Sequence, residues 1–194
     1  MKHFGLHYMG NYTAEQIKSN FSDYFKFMFV RNPFERLLSA YVNKIEHPLK
    51  KAVEYAYIGP VRGINIMFRH NNSLSNDDVT FQELLHLLIS RLIRGKTLDE
   101  HYDPYKYILN PCNFKFDFIG KSETFAQDAA FVFKHLFNET IELPHVNPTK
   151  PNKPKSEYYS TMPTDIMEKI HELFKDDFDM FDYGYPKTVF TSKL

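Results

Sequence analysis

The chain has 194 residues, enough for one domain with a sizeable core and short of the usual size of two. Lysine plus arginine balance aspartate plus glutamate at 24 each, so no global field draws the protein to nucleic acid or to an anionic membrane, and any anion must be held by a local cluster. Cys112 is the only cysteine, which excludes an internal disulfide; no apolar run reaches the roughly 18 to 20 residues of a membrane span, and no signal-peptide pattern follows Met1.

In chain order, residues 13–23 read as a short amphipathic helix that opens at Thr13 and carries Ile17 and Phe21. The stretch "FKFMFVRNPFERLLSAYVNK" follows. Phe25, Phe27, Met28, Phe29 and Val30 form the aromatic and β-branched run of a buried strand. Pro33 cannot continue that strand but suits the first position of a helix, where its missing N–H costs nothing. Asn32 then falls at the N-cap and Glu35 at N3, the spacing of a capping box. Phe34, Leu37, Leu38, Tyr41 and Ile45 recur as one apolar stripe, expected to face the sheet, while Arg36, Ser39 and Asn43 project from the other side.

Residues 48–78 are irregular, with Gly59-Pro60, Gly63 and "HNNSLSNDD" marking an exposed insertion. Thr80-Phe81-Gln82-Glu83 is a capping box that starts a strong helix, ended by Gly95. A tyrosine-rich loop, "DEHYDPYKYILNPC", leads to an alternating strand over Phe114 to Gly120 and, through "KSET", to the helix "FAQDAAFVFKHLF". A basic, proline-rich loop, "LPHVNPTKPNKPKSEYYS", precedes a last helix from about Thr164, with Ile166, Ile170, Phe174, Phe178 and Phe181 on or near one face. Strands alternating with helices predict an α/β layered fold.

A helix that starts at the end of a strand presents unpaired N–H groups and a positive dipole end, and Arg31 adds a planar, permanently charged fork matched to phosphate. Together these describe an anion site. The plainer alternative, with Arg31 paired to a carboxylate and Ser39 merely solvated, fits the pattern equally well. His3 and His7 stand four apart without an acidic or cysteine partner, so no metal site is expected. Asn11, Asn20, Asn71 and Asn138 head N-x-[ST] triplets that mildly favour a lumenal protein, whereas the terminal Ser192-Lys193-Leu194 reads as a weak peroxisomal address.

The segment "FVRNPFERLLSAYVNK" resembles the 3'-phosphate-binding segment of the Golgi carbohydrate sulfotransferases, above all the branch of the chondroitin and dermatan 4-O-sulfotransferases and the HNK-1 sulfotransferase. Three later segments are similar to the same family in the same order: "DEHYDPYKYILNPCNFKFDFIGKSET", the lysine loop ending in "SEYYS", and "ELFKDDFDMFDYGYP". The resemblance implies one sulfotransferase-like domain over residues 1–194, with a P-loop-like α/β fold in which helices flank a parallel sheet. It also implies transfer of a sulfuryl group from 3'-phosphoadenosine 5'-phosphosulfate (PAPS) to a sugar hydroxyl of a glycan or proteoglycan, without a metal. Arg31 and Ser39 would hold the 3'-phosphate, Asn32, Pro33, Phe34 and Glu35 would complete the pocket, and Arg36 and Asn43 would support it. The family's upstream membrane anchor and basic 5'-phosphosulfate loop have no counterpart here, nor has the first cysteine of its Cys-x-Pro-Cys pattern before Cys112. The expectation is therefore a truncated or degenerate member, lacking an N-terminal strand-loop-helix and weak in transfer by itself, from a Golgi lumenal family.

His101 in "DEHYDP" is the candidate for proton transfer or acceptor binding, since imidazole titrates near neutral pH; the alternative is that it orders its loop. Lys121 and Glu123 follow a strand and open a helix, where α/β proteins bind ligands, though a surface ion pair reads nearly as well. Lys150, Lys153 and Lys155 would cover the nucleotide or form a solvated basic loop. Two other classes compete. One is a non-catalytic 3'-phosphonucleotide-binding module. The other, a P-loop kinase, is disfavoured because G-x-x-x-x-G-K-[ST] is absent.

Overall fold

The computed structural model describes residues 13, 15, 16, 19, 22–47, 63–69, 79–109, 115–140 and 150–184. His3, His7, Cys112, the triplets headed by Asn11, Asn20 and Asn71, the "HNNSLSNDD" insertion and the terminal tripeptide lie outside them. The elements in chain order are β1 (Phe27–Val30), α1 (Pro33–Tyr41) continuing as a π-helical turn over Val42–Glu46, a π-helical segment Asn65–Arg69, α2 (Phe81–Ile93) and α3 (Tyr105–Ile108). They continue with β2 (Phe118–Lys121), a 3-10 turn Ser122–Thr124, α4 (Phe125–Phe137), α5 (Lys155–Ser160), α6 (Thr164–Leu173) and α7 (Lys175–Met180). Among the described residues the protein is mixed α/β with a parallel two-stranded sheet, and its chain forms two compact units.

The first unit comprises Met1–Val30 and Asn113–Leu143. Of the helix expected over 13–23, the described Glu15, Gln16, Ser19 and Ser22 are helical. Thr13 opens it reciprocally: its hydroxyl accepts the Gln16 N–H at 3.2 Å, and the Gln16 amide oxygen accepts the Thr13 N–H at 2.9 Å. β1 and β2 pair in parallel from Phe27↔Phe118 to Val30↔Lys121. Lys26 and Asp117 fix this register just before the ladder, because the Asp117 carboxylate accepts both the Lys26 N–H (2.8 Å) and its ammonium (3.0 Å). α4 lays Ala129 and Val132 inward, and Asp128 ties it to the strand end by accepting the Lys121 N–H at 2.7 Å. Of the strand expected over Phe114 to Gly120, Phe114 lies outside the described residues, Asp117 is taken up by the clamp, and the ladder runs from Phe118 to Lys121.

Gly120 sits opposite Phe29 in the ladder, and a Cβ there would lie 2.5 and 2.8 Å from Phe29 ring carbons and 3.1 Å from the Asp128 Cβ. Gly120→Ala is therefore expected to destabilise the protein by about 1–3 kcal/mol through overpacking. Chemical denaturation of the two forms measures it; equal midpoints would show that the ring swings aside freely.

The second unit comprises Arg31–Cys112 and Pro144–Leu194 and holds the main core. Thr80 and Glu83 close the expected capping box at the start of α2, and Gly95, at φ +67°, follows its end in the left-handed region. The α1 stripe is buried as the spacing predicts, and within its own unit it meets helices: Phe34 meets Tyr159 and Phe178, and Tyr41 meets Phe81 and Tyr158. The basic loop likewise ends in a helix, α5, which buries Tyr158 and Tyr159 against α1, with the Tyr159 hydroxyl donating to the Phe34 carbonyl. The last helix is two: the chain turns at Phe174, so that α6 buries Ile166, Met167 and Ile170 while α7 buries Asp177 and Phe178.

Candidate functional site

Arg31 is the residue after β1, and Asn32 caps α1 as the sequence predicts, its side-chain oxygen accepting the Phe34 N–H at 3.0 Å. Pro33 has no N–H, the Arg36 N–H bonds the Asn32 carbonyl at 2.9 Å, and among the described residues no acceptor takes the Glu35 N–H. The first turn of α1 therefore keeps an open donor next to a cation. The Arg31 backbone N–H donates to the Tyr105 hydroxyl at 3.2 Å, and among the described residues no carboxylate pairs with its half-buried guanidinium. Phe34 is buried in the core, so it supports the turn from below.

Ser39 is half-buried on the polar side of α1, where the Asn43 side-chain amide donates to its carbonyl (2.9 Å) and its hydroxyl (3.4 Å). That second bond leaves the Ser39 proton to be given elsewhere. Glu35 pairs with the Lys155 ammonium at the surface. Arg36 is turned to the 98–105 loop: its fork donates to the carbonyls of Asp103 (2.7 Å) and Glu100 (2.6 Å), and its guanidinium lies 4.3 Å from the centre of the Tyr105 ring. Burial pulls its pKa down against the pull of the surrounding Tyr105, Asp177, Asp103 and Asp99.

The loop it holds is built by its own aspartates. Asp99 accepts the His101 N–H at 2.8 Å, and the buried Asp103 carboxylate accepts the Leu98 N–H at 2.8 Å. His101 is half-buried, and among the described residues its imidazole makes no hydrogen bond, so loop-ordering falls to its backbone. Asp177, fully buried, accepts the Tyr105 N–H with both oxygens at 3.0 Å, and desolvation pushes its pKa up to about 6. Lys106 pairs with Asp176 at 2.9 Å beside it.

The structure thus brings Arg31, Arg36 and the His101 loop together in one unit. Lys121 belongs to the other unit, and its N–H is bonded to Asp128. Lys153 stands 4.6 Å over the Tyr158 ring, at a cavity of about 520 Å³ lined by Tyr41, Glu46, Phe81, Tyr158 and Met162 among others. Tyr41 ends α1, roughly 12 Å along the axis from Pro33, so this cavity lies at the opposite end of the helix from Arg31. Tyr105 and Asp177 carry no motif by themselves. The available signal was the run Asp103-Pro104-Tyr105, its aspartate four residues after Asp99, which marks a tightly bonded turn.

Among the described residues no cluster of His, Cys, Asp or Glu could hold a metal ion, and no helix is long and apolar enough to cross a membrane. A parallel strand followed in sequence by a capped helix defines an α/β protein, and among the described residues the arginine that precedes the cap has no carboxylate partner. A model of the sulfotransferase family matches residues 4–184, and the chain belongs to that family. It is 28% identical over 188 residues to carbohydrate sulfotransferase 11 of Rattus norvegicus, covering 92% of this chain and 52% of that protein. It is 30% identical over 200 residues to carbohydrate sulfotransferase 14 of Homo sapiens (95% and 49%) and 29% identical over 196 residues to carbohydrate sulfotransferase 10 of Xenopus laevis (96% and 55%). The chain spans about half the length of the curated relatives it matches. No solved structure matches it significantly.

Proposed function

We propose that the chain carries the 3'-phosphonucleotide site of a carbohydrate sulfotransferase, acting within one sulfotransferase-like domain over residues 1–194. The reaction would move the sulfuryl group of PAPS to a sugar hydroxyl of a glycan or proteoglycan: the acceptor oxygen bonds to sulfur, the bond from sulfur to the 5'-phosphate oxygen breaks, and adenosine 3',5'-bisphosphate leaves. A Golgi lumenal setting goes with that acceptor. The observation that carries the reading is the Arg31 guanidinium, without a carboxylate partner among the described residues, at the capped start of α1. Arg31 and Ser39 bind the 3'-phosphate, the Asn32-Pro33-Phe34-Glu35 turn shapes the pocket, and Arg36 supports it through the 98–105 loop.

Adenosine 3',5'-bisphosphate should bind this chain at least about tenfold more tightly than adenosine 5'-phosphate, the worth of one charge-assisted contact. Calorimetric titration decides; equal affinities would remove the 3'-phosphate site. His101 is the proposed base. Wherever transfer of labelled sulfate to a glycan is observed, His101→Gln should lower kcat by about 10² to 10⁴. An unchanged kcat would take His101 out of the reaction.

A further inference from the structure

We propose that Tyr105 belongs to the 3'-phosphonucleotide site, its hydroxyl fixing the Arg31 backbone and offering its own proton to a phosphate oxygen; this rests on the reading of the Arg31 site above. The Arg31 N–H lies one residue past the strand ladder, where the chain leaves the sheet and no strand partner is paired with it. Tyr105, 74 residues away, supplies the acceptor at 3.2 Å. A phenol that accepts one bond still has one to give. Among the described residues nothing takes that proton. Burial raises the Tyr105 pKa, which keeps the hydroxyl a donor at neutral pH.

The ring is held from several directions. Both oxygens of Asp177 accept its backbone N–H, the Arg36 guanidinium covers the ring, and Phe181 meets it edge-on at 5.4 Å. Phenylalanine would keep the ring's packing and its cation contact. The hydroxyl is the part that reaches Arg31, and a residue serving the core alone has no use for it. With Arg31 beside it, the group such a hydroxyl would meet is an oxyanion, as in a phosphate.

Tyr105→Phe should weaken binding of adenosine 3',5'-bisphosphate about 5- to 30-fold, one to two hydrogen bonds' worth, and shift adenosine 5'-phosphate less than about twofold. Equal losses for both nucleotides, or none, would overturn the proposal. In the parent chain the Arg31 amide should exchange slowly with solvent deuterium, and more slowly still once adenosine 3',5'-bisphosphate is added; an unprotected Arg31 amide overturns the proposal without recourse to the variant. Arg31→Ala separates the two readings. If it fails to discriminate between the nucleotides, the site itself is wrong; if it discriminates while Tyr105→Phe does not, only the role of Tyr105 falls.

Discussion

Arg31→Ala should weaken binding of adenosine 3',5'-bisphosphate by about tenfold to a hundredfold, the worth of a charge-assisted and potentially bidentate contact of roughly 1.5–3 kcal/mol. The guanidinium is half-buried and has no carboxylate partner among the described residues, so its removal breaks no ion pair there and should leave the fold nearly as stable. Adenosine 5'-phosphate, lacking the 3'-phosphate, should scarcely notice the change. Ser39→Ala should weaken the bisphosphate less, by about 0.5–1.5 kcal/mol for one hydroxyl bond. The selectivity is the informative part, because a misfolded variant would lose both nucleotides together. Titration of both against parent and variants is the measurement, and a parallel loss of the two would exclude Arg31 from the 3'-phosphate contact.

What was legible in the sequence was local. Asn32-Pro33 specifies its turn with backbone chemistry confined to a few residues, Thr80 and Glu83 do the same for α2, and Gly95 stops α2 by taking a left-handed conformation. The α1 stripe was legible as buried but not as to what buries it, because a 3.6-residue period records a buried face and not its partner. Nor does pattern reveal bonds across long separations. The Tyr159 hydroxyl finds the Phe34 carbonyl 125 residues away, Arg36 reaches the Asp103 carbonyl across 67, and Asp177 meets Tyr105 across 72. The break at Phe174 follows from the last of these, since an unbroken helix would carry on in the line of α6 instead of turning to bury Asp177 beneath Tyr105. The α1 turn was therefore readable, and the loop that Arg36 holds was not.

Arg36→Ala should destabilise the protein by about 2–3 kcal/mol at pH 7.5, and by clearly less at pH 5. The side chain is a half-buried cation near two buried carboxylates, and removing it leaves their charge less compensated. Asp177 already has its folded pKa raised to about 6 by desolvation, with Arg36 pulling it down; burial raises Asp103 in the same way, again against Arg36. A carboxyl whose folded pKa exceeds its unfolded value contributes stability that is fully present below the unfolded pKa, near 4, and is lost as pH rises through the folded one. In the parent, Asp177 therefore favours the folded state less at pH 7.5 than at pH 5. Without Arg36 both carboxyl pKa values should climb further, which adds a penalty where the parent's carboxylates are ionised, for Asp177 above about pH 6. At pH 5 the Asp177 contribution is largely gone, and the two carbonyl hydrogen bonds and the contact with the Tyr105 ring account for about 1–2 kcal/mol of the loss. Urea unfolding of parent and variant at the two pH values measures both gaps. A gap that stays the same would mean that Arg36 acts through its hydrogen bonds alone. A gap that narrows at pH 5, and that no longer depends on pH when Asp103→Asn and Asp177→Asn are placed in both backgrounds, would locate the effect in the charge balance beneath Tyr105.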